Sequence, residues 1–501
     1  MKYLALQKPS LARFSAVLLN AILVLLVGCS DPSPAEQVAP AYQSSEALPG
    51  GATSASPKPF VSFQLPAANL ARELKSDFYA GQALARQPWV KAPTITTARD
   101  GLGPIYNART CLSCHIKGGK GFISDTEQVP LLGTLIRLSK PGAITKEFAQ
   151  TGVIPHPVYG DQIQGQSISL AHQLRHSQKP GTLQHDVAPE AYVYIQWQEQ
   201  TFTYPDQGQV QLRQPSLEFR NLGYGPLGDD TLVSIRVAPA IHGMGLLELI
   251  PQQDIDALED ERDQDGNGIS GRVNLVWDVE KQAMAPGRFG LKANKPTLAM
   301  TVAGAFAGDV GISNSLFPQQ PCTKNQEKCL ASHNGNDADG FELPDHLLDL
   351  VVNFNRNLAP LKRSHFKSKK VMQGRELFYA LACNQCHTPS FKTGDSKQFP
   401  HLAGQTIWPY SDLLLHDMGD ELADNRPDFL ASGNEWRTPP LWGVGVQHQV
   451  NGSHALLHDG RARTIEEAIL WHGGEAQSSK AKFVELAKKD REALLLFVKS
   501  L

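Results

Sequence analysis

The sequence is short of several features that would place it quickly. Its formal net charge is only −3, with 47 Lys and Arg against 50 Asp and Glu. No general electrostatic attraction to nucleic acid or to an acidic membrane face is therefore expected, and no nucleic-acid partner is predicted. Beyond the first thirty residues no stretch approaches the ~20 consecutive apolar residues of a transmembrane helix. Methionine is scarce, at six in 501 residues, and cysteine nearly as scarce, at seven. A structural zinc cluster needs several thiolates at suitable spacing, and once the motifs below are assigned none is spare. The chain is nevertheless too long for one ordinary core, so two or three domains are expected.

The N-terminus reads as a targeting segment. Lys2, Lys8 and Arg13 precede an apolar run over 16–27 that ends Leu26-Val27-Gly28-Cys29. A charged region, a short apolar region and a small residue before the cleavage point make a secretory signal peptide. The cysteine at that place resembles a bacterial lipobox, which implies a lipoprotein signal peptide over 1–28 and lipidation of Cys29. Ser30 follows, where an aspartate would favour the inner membrane, so the expected location is the periplasmic side of the cell envelope, lipid-anchored at the outer membrane. Residues 31–58 are rich in Pro, Ala, Ser and Gly, and the stretch 29–66 is read as a flexible tether.

Four of the other six cysteines sit in two copies of one motif, Cys111-Leu-Ser-Cys114-His115 and Cys383-Asn-Gln-Cys386-His387. In this motif the two thiols add to porphyrin vinyl groups and the adjacent histidine supplies the proximal iron ligand. A redox dithiol would not require the histidine twice. Two covalently bound haem c groups are therefore predicted. Cys322 and Cys329 remain, and in an exported protein they are expected to form a local disulfide.

Between the motifs the pattern changes. Leu70, Leu74, Phe78 and Leu84 predict a helix within 67–90. Lys117-Gly-Gly-Lys-Gly121 is a basic glycine-rich turn of the kind that folds around a haem edge, without the context of a phosphate loop. Over 190–222 the period is two, with a Pro205-Asp-Gln-Gly208 turn, which predicts an antiparallel hairpin. Asp263, Asp265, Asn267 and Ile269 match the first half of a calcium loop, with Gly268 beside them. Asn274 stands where the bidentate glutamate would be, so Ca2+ and a solvated Asp/Gly turn both remain open. Helices are expected over 371–381 and 483–501. The expected fold is mainly α: a haem domain over 67–365 with a long β-containing insertion, then a cytochrome c-like haem domain over 366–501.

Only Met372 and Met418 of the six methionines fall in the second haem region, and Met372 precedes the motif. Met418 is therefore the axial candidate opposite His387, where it would give a high potential. His416, His458 and His472 are its rivals, and core filling is the plain alternative. For the first haem the sequence does not choose among His156, His172, His176, His185 and His242. Glu248, alone in the apolar run Gly243-Met-Gly-Leu-Leu-Glu-Leu249, is a candidate acid–base group, or else a capping or salt-bridged glutamate for which Arg236 is a possible partner.

These stretches resemble the bacterial dihaem oxidoreductases, a peroxidase-like and thiol oxidoreductase-like family distantly similar to dihaem cytochrome c peroxidases. The resemblance is carried by Asp100-Gly-Leu-Gly-Pro-Ile-Tyr-Asn-Ala-Arg-Thr-Cys111, Val158-Tyr-Gly-Asp-Gln-Ile-Gln164, Arg236-Val-Ala-Pro239, Asp265-Gly-Asn-Gly-Ile-Ser-Gly-Arg272, Leu413-Leu-Leu-His-Asp-Met-Gly419, Glu435-Trp-Arg-Thr-Pro-Pro-Leu-Trp442 and Leu457-His-Asp-Gly-Arg461. It covers nearly everything after residue 70. It implies an enzyme that passes electrons from the C-terminal haem to a catalytic N-terminal haem and reduces an oxidant such as hydrogen peroxide. The implied donor is a periplasmic small cytochrome c or cupredoxin-type protein. A non-catalytic electron-transfer cytochrome and a haem oxidase that modifies a protein partner are the competing readings. The long stretch between the motifs exceeds what a carrier needs and favours the enzyme.

Overall fold

The structure is a computed structural model that describes residues 38–57, 61–92, 94, 95, 99–168 and 187–501. The segment read as a signal peptide, Cys29, and three histidines weighed for the first haem (His172, His176 and His185) lie outside the described residues.

Helices form where the apolar spacing calls for them. They are α1 (Lys75–Arg86), α2 (Leu298–Ala305), α3 (Asp345–Arg356), α4 (Lys369–Ala380), α5 (Ile465–Trp471) and α6 (Lys488–Ser500), with a further helix over Gln477–Glu485 before α6 and shorter turns elsewhere. Gly81 of α1 and Gly374 of α4 sit where helices cross, at a cost of about 1 kcal/mol each against alanine in a helix. In return the backbones touch. A Cβ on Gly81 of α1 would lie 1.9 Å from the Leu350 carbonyl oxygen of α3, and one on Gly374 of α4 would lie 1.9 Å from the Ala493 carbonyl oxygen of α6.

The main strands are β1 (Thr134–Ser139), β2 (Tyr192–Thr203), β3 (Gln209–Arg220), β4 (Leu232–Val237), β5 (Leu415–Asp417) and β6 (Glu435–Arg437). They pair antiparallel and two by two: β1 with β4, β2 with β3 and β5 with β6. The expected hairpin is β2–β3, running from Tyr192 opposite Arg220 to Thr203 opposite Gln209.

The mainly α, cytochrome c-like expectation is overturned. The chain is 30% helix and 17% strand, with several small sheets. The strands escaped sequence reading because most span two to six residues, too few to display alternation. Their partners are also remote, as when Ile136 pairs with Ile235.

Three apolar clusters organise the described residues. One gathers Phe78, Trp89, Phe306 and Phe354 around α1, α2 and α3. A second gathers Phe378, Tyr410, Trp471 and Phe497 around α4, α5 and α6. The third joins β1 to the base of the hairpin through Ile136, Val193 and Ile195. The far end of that hairpin, with Tyr204 and Leu212, is buried in the second cluster. Arg491 pins it there, bonding Asp206 at 2.6 Å and lying 3.8 Å over the Tyr204 ring. The tether reading fails over 44–57. There Glu46 is fully buried and accepts from Arg375 of α4 at 2.8 Å.

Candidate functional site

The C-terminal motif is launched by α4. Ser368 caps the helix by accepting from Val371 N, and after Leu381 the chain turns sharply at Ala382, whose φ is 62°. A non-glycine residue in that region is uncommon and stores strain. The turn Cys383–Gln385 follows, with Cys386 and His387 behind it. The Nδ1 of His387 bonds the Tyr410 carbonyl oxygen at 3.1 Å, which leaves Nε2 bare. Burial, and then the neighbouring His472, hold His387 down at about 4, so the ring is neutral, as a metal ligand must be. Burial pushes the Cys383 thiol up to about 12.

These groups open on a cavity of ≈ 320 Å³. Its wall is mostly apolar, with Phe378, Leu381, Leu457, Phe483 and Val498 near the motif. Met418, His416, His458 and His472 all line it as well. The structure separates these candidates. His416 has both nitrogens taken, Nε2 by Asp412 at 2.8 Å and Nδ1 by Glu475 at 2.6 Å. Burial pulls its pKa down but is outweighed by the Cys386 sulfur and the Asp412 carboxylate, which raise it well above the ordinary value. A protonated imidazole cannot ligate. His458 is stacked flat on Trp436, with ring centroids 3.7 Å apart, and faces Asp459. His472 donates from Nδ1 to the Ala468 carbonyl oxygen at 2.7 Å, and its Nε2 is free.

The N-terminal motif forms a one-turn helix, Cys111–Cys114, capped by Thr110. His115 is oriented as His387 is, with Nδ1 2.7 Å from the Pro239 carbonyl oxygen. Pro239 also lines the cavity of the C-terminal motif, so the two sites share a wall. Burial, and then the charge of Asp309, push both the Cys111 and Cys114 thiols up to about 12. Asp309 lies in the turn Phe306–Val310 that follows α2. Its carboxylate accepts from Gln162 Nε2 at 3.0 Å, and its backbone oxygen accepts from Asn107 and Ala108, which lead into the motif. Burial raises its pKa, opposed by Arg137. Sequence reading missed this residue, although a lone acid at the end of the apolar run after Thr297 was a visible signal.

The other predicted residues fall as follows. Among the described histidines weighed for the first haem, His156 has both nitrogens hydrogen-bonded. His242 bonds the Trp442 carbonyl oxygen through Nε2 and stacks on Phe63 at 3.9 Å. Glu248 accepts from Leu298 N at 3.1 Å and from Arg356 at 2.8 Å, which is the capping and salt-bridging arrangement, and Arg236 is not its partner. Arg236 instead pairs with Asp428. Cys322 and Cys329 are joined in a disulfide. In the acidic loop the carboxylates of Asp263 and Asp265 converge with that of Asp260. Asn267 accepts from Ile269 N, a turn contact, and Asn274 is buried away from the loop, donating to the carbonyl oxygens of Lys292 and Asp428.

The chain belongs to the family described as "Di-haem oxidoreductase, putative peroxidase", which matches residues 42–501. No curated protein and no solved structure matches the chain. The residues fit the group that the family name calls for. At each motif two thiols kept neutral by burial stand beside a histidine whose Nδ1 is held by a backbone carbonyl oxygen, which leaves Nε2 bare. At the C-terminal motif an apolar cavity lies open beside them.

Proposed function

We propose that this protein is an exported c-type dihaem oxidoreductase that reduces a peroxide at its N-terminal haem with electrons received through its C-terminal haem. Cys111, Cys114 and His115 would hold the first haem, and Cys383, Cys386 and His387 the second. Bound there, haem supplies an iron that changes oxidation state and can take an exogenous oxygen ligand. Lipidation at Cys29 would keep the protein on the periplasmic face of the envelope, within reach of a small cytochrome or cupredoxin-type donor.

The observation that carries the reading is Asp309. Reducing hydrogen peroxide to two waters consumes two electrons and two protons, and the oxygen that leaves must be protonated. A carboxyl group whose pKa is raised by burial can accept a proton from one peroxide oxygen and return it to the other. Asp309 has that shift, stands within electrostatic reach of both Cys111 and Cys114, and is held in place by Gln162. The Oε1 of Gln162 is buried without a partner and is available to accept a hydrogen bond. An electron carrier has no use for a proton-transfer group at this place.

The test is peroxide turnover by the haem-loaded protein with a reduced small c-type cytochrome. Asp309→Asn should lower kcat by roughly 10²–10⁴ while haem content and spectra stay as in the wild type. Unchanged turnover in that variant would remove Asp309 from the mechanism. No turnover in the wild type would leave an electron-transfer cytochrome.

A further inference from the structure

We infer that the second axial ligand of the C-terminal haem is His472, not Met418, so that this haem is a bis-histidine centre. The inference rests on the reading that Cys383, Cys386 and His387 hold a haem, and it concerns only what faces His387.

Three histidines at the motifs and their cavity share one arrangement, which recurs among the described histidines at His454, outside that cavity, on the Arg463 carbonyl oxygen. His115 places Nδ1 against the Pro239 carbonyl oxygen, His387 against that of Tyr410 and His472 against that of Ala468. A backbone carbonyl on Nδ1 fixes the tautomer with the proton there, orients the ring and leaves the Nε2 lone pair for a metal. The first two are the proximal histidines of the two motifs. The third has no such motif, yet it lines the cavity that Cys383, Cys386 and His387 line.

The local chain is built to hold it there. His472 ends α5 in an extended conformation and is followed by Gly473 and Gly474. A Cβ on Gly473 would lie 2.9 Å from the Met418 carbonyl oxygen, and one on Gly474 would lie 2.3 Å from that of Asp417. Only glycine lets the turn after His472 press this closely on the end of β5. Met418 lies just past the end of β5, lines the same cavity and packs among the partly buried apolar residues of the second cluster. Of the other histidines that line the cavity, His416 has both nitrogens on carboxylates, His242 has its Nε2 on the Trp442 carbonyl oxygen and His458 lies flat on Trp436, so none of the three repeats the arrangement of His387 and His472, with Nδ1 on a carbonyl oxygen and Nε2 open.

The consequence for function is a direction. Methionine opposite histidine raises a haem's potential, whereas two imidazoles leave it lower. A lower-potential C-terminal haem is the better reductant, which favours passing electrons on to the N-terminal centre.

The experiment is the visible, near-infrared and EPR spectroscopy of the haem-loaded protein, with potentiometry, on the wild type, His472→Ala, His472→Met and Met418→Leu. The wild type should show a low-spin C-terminal haem without the far-red sulfur-to-iron band, and Met418→Leu should change neither spectrum nor potential. His472→Ala should lose the low-spin signal and regain it with added imidazole. His472→Met should gain the sulfur band and a higher potential. A sulfur band in the wild type overturns the inference, whichever methionine supplies it, and so does a His472→Ala spectrum identical to the wild type. If the His472 variants fail to load haem, the wild-type and Met418→Leu spectra still decide. None of these readouts involves peroxide, so a failure of the peroxidase reading leaves them intact.

Discussion

Asp428 is where the buried charges of this protein meet, and replacing it with asparagine tests how much they contribute. Its carboxylate accepts from Arg236 at 2.8 Å and from Arg426 at 3.1 Å, with Asn294 at 3.3 Å. Asp424 completes the cluster by pairing with Lys292 at 2.9 Å, and all five charged groups are buried. Two carboxylates therefore face three cations. Asp428→Asn preserves the volume and leaves a single carboxylate among them. Removing one partner of a buried pair costs about 3–5 kcal/mol, well above what an exposed pair contributes. At about 1.4 kcal/mol per decade, the folded-to-unfolded ratio should fall by roughly two to four orders of magnitude. The pH dependence carries a sign. Burial works to raise the Asp428 pKa, but Arg236 and Arg426 outweigh it and hold the group well below its ordinary 3.8. The unfolded chain thus takes up a proton near 3.8 that the folded chain refuses. The stabilisation is complete above that pH and is lost as pH falls further, through the depressed folded value. Urea unfolding of the haem-loaded protein, at neutral pH and down to the acid limb, measures both effects. A loss under about 1 kcal/mol at neutral pH with an unchanged slope, or an acid limb as steep in the variant as in the wild type, would refute the reasoning.

Two further outcomes test the site assignments. Glu248→Gln removes a charged cap from α2 and the partner of Arg356, so stability should drop by about 1.5–3 kcal/mol while peroxide turnover per folded molecule holds. A collapse of turnover without loss of stability would return Glu248 to the mechanism. Replacing both Cys322 and Cys329 with serine opens a loop with a sequence separation of 7, and should cost about 2–3 kcal/mol. Thermal midpoints equal to the wild type, with and without reductant, would show that the link is idle.

What could be read from the sequence is what lies contiguously in it. The two Cys-x-x-Cys-His motifs are visible because their residues are neighbours in the chain, and the β2–β3 hairpin because twelve residues suffice to show alternation. The expected helix 371–381 is α4, whereas the expected helix 483–501 is broken at Leu486 and Ala487, its first residues belonging to the helix Gln477–Glu485 and the rest to α6. Asp309 was overlooked because its partners, Gln162 and the thiols, arrive from other parts of the chain. His472 looked equal to His416 and His458 because the difference lies in which nitrogens are already taken. Glu46 was lost inside a composition typical of linkers, since one buried carboxylate facing Arg375 leaves composition unchanged.

The length of chain between the two motifs acquires a physical purpose at the short segment 237–241. Val237 N donates to the His458 carbonyl oxygen at 2.8 Å, and the Ala238 carbonyl oxygen accepts from Gly121 N at 2.7 Å. The Pro239 carbonyl oxygen holds His115, and Ile241 N donates to the Gly118 carbonyl oxygen at 3.1 Å. Four successive contacts, each worth about 0.5–1.5 kcal/mol, thus tie the glycine-rich turn and the proximal histidine of the first motif to the wall of the second motif's cavity. Strand β4 delivers this segment, and β4 exists only by pairing with β1. A carrier with two independent haems has no need of such a junction. A protein that must move electrons between two centres at a fixed separation does, because that separation is set by whatever both centres rest against.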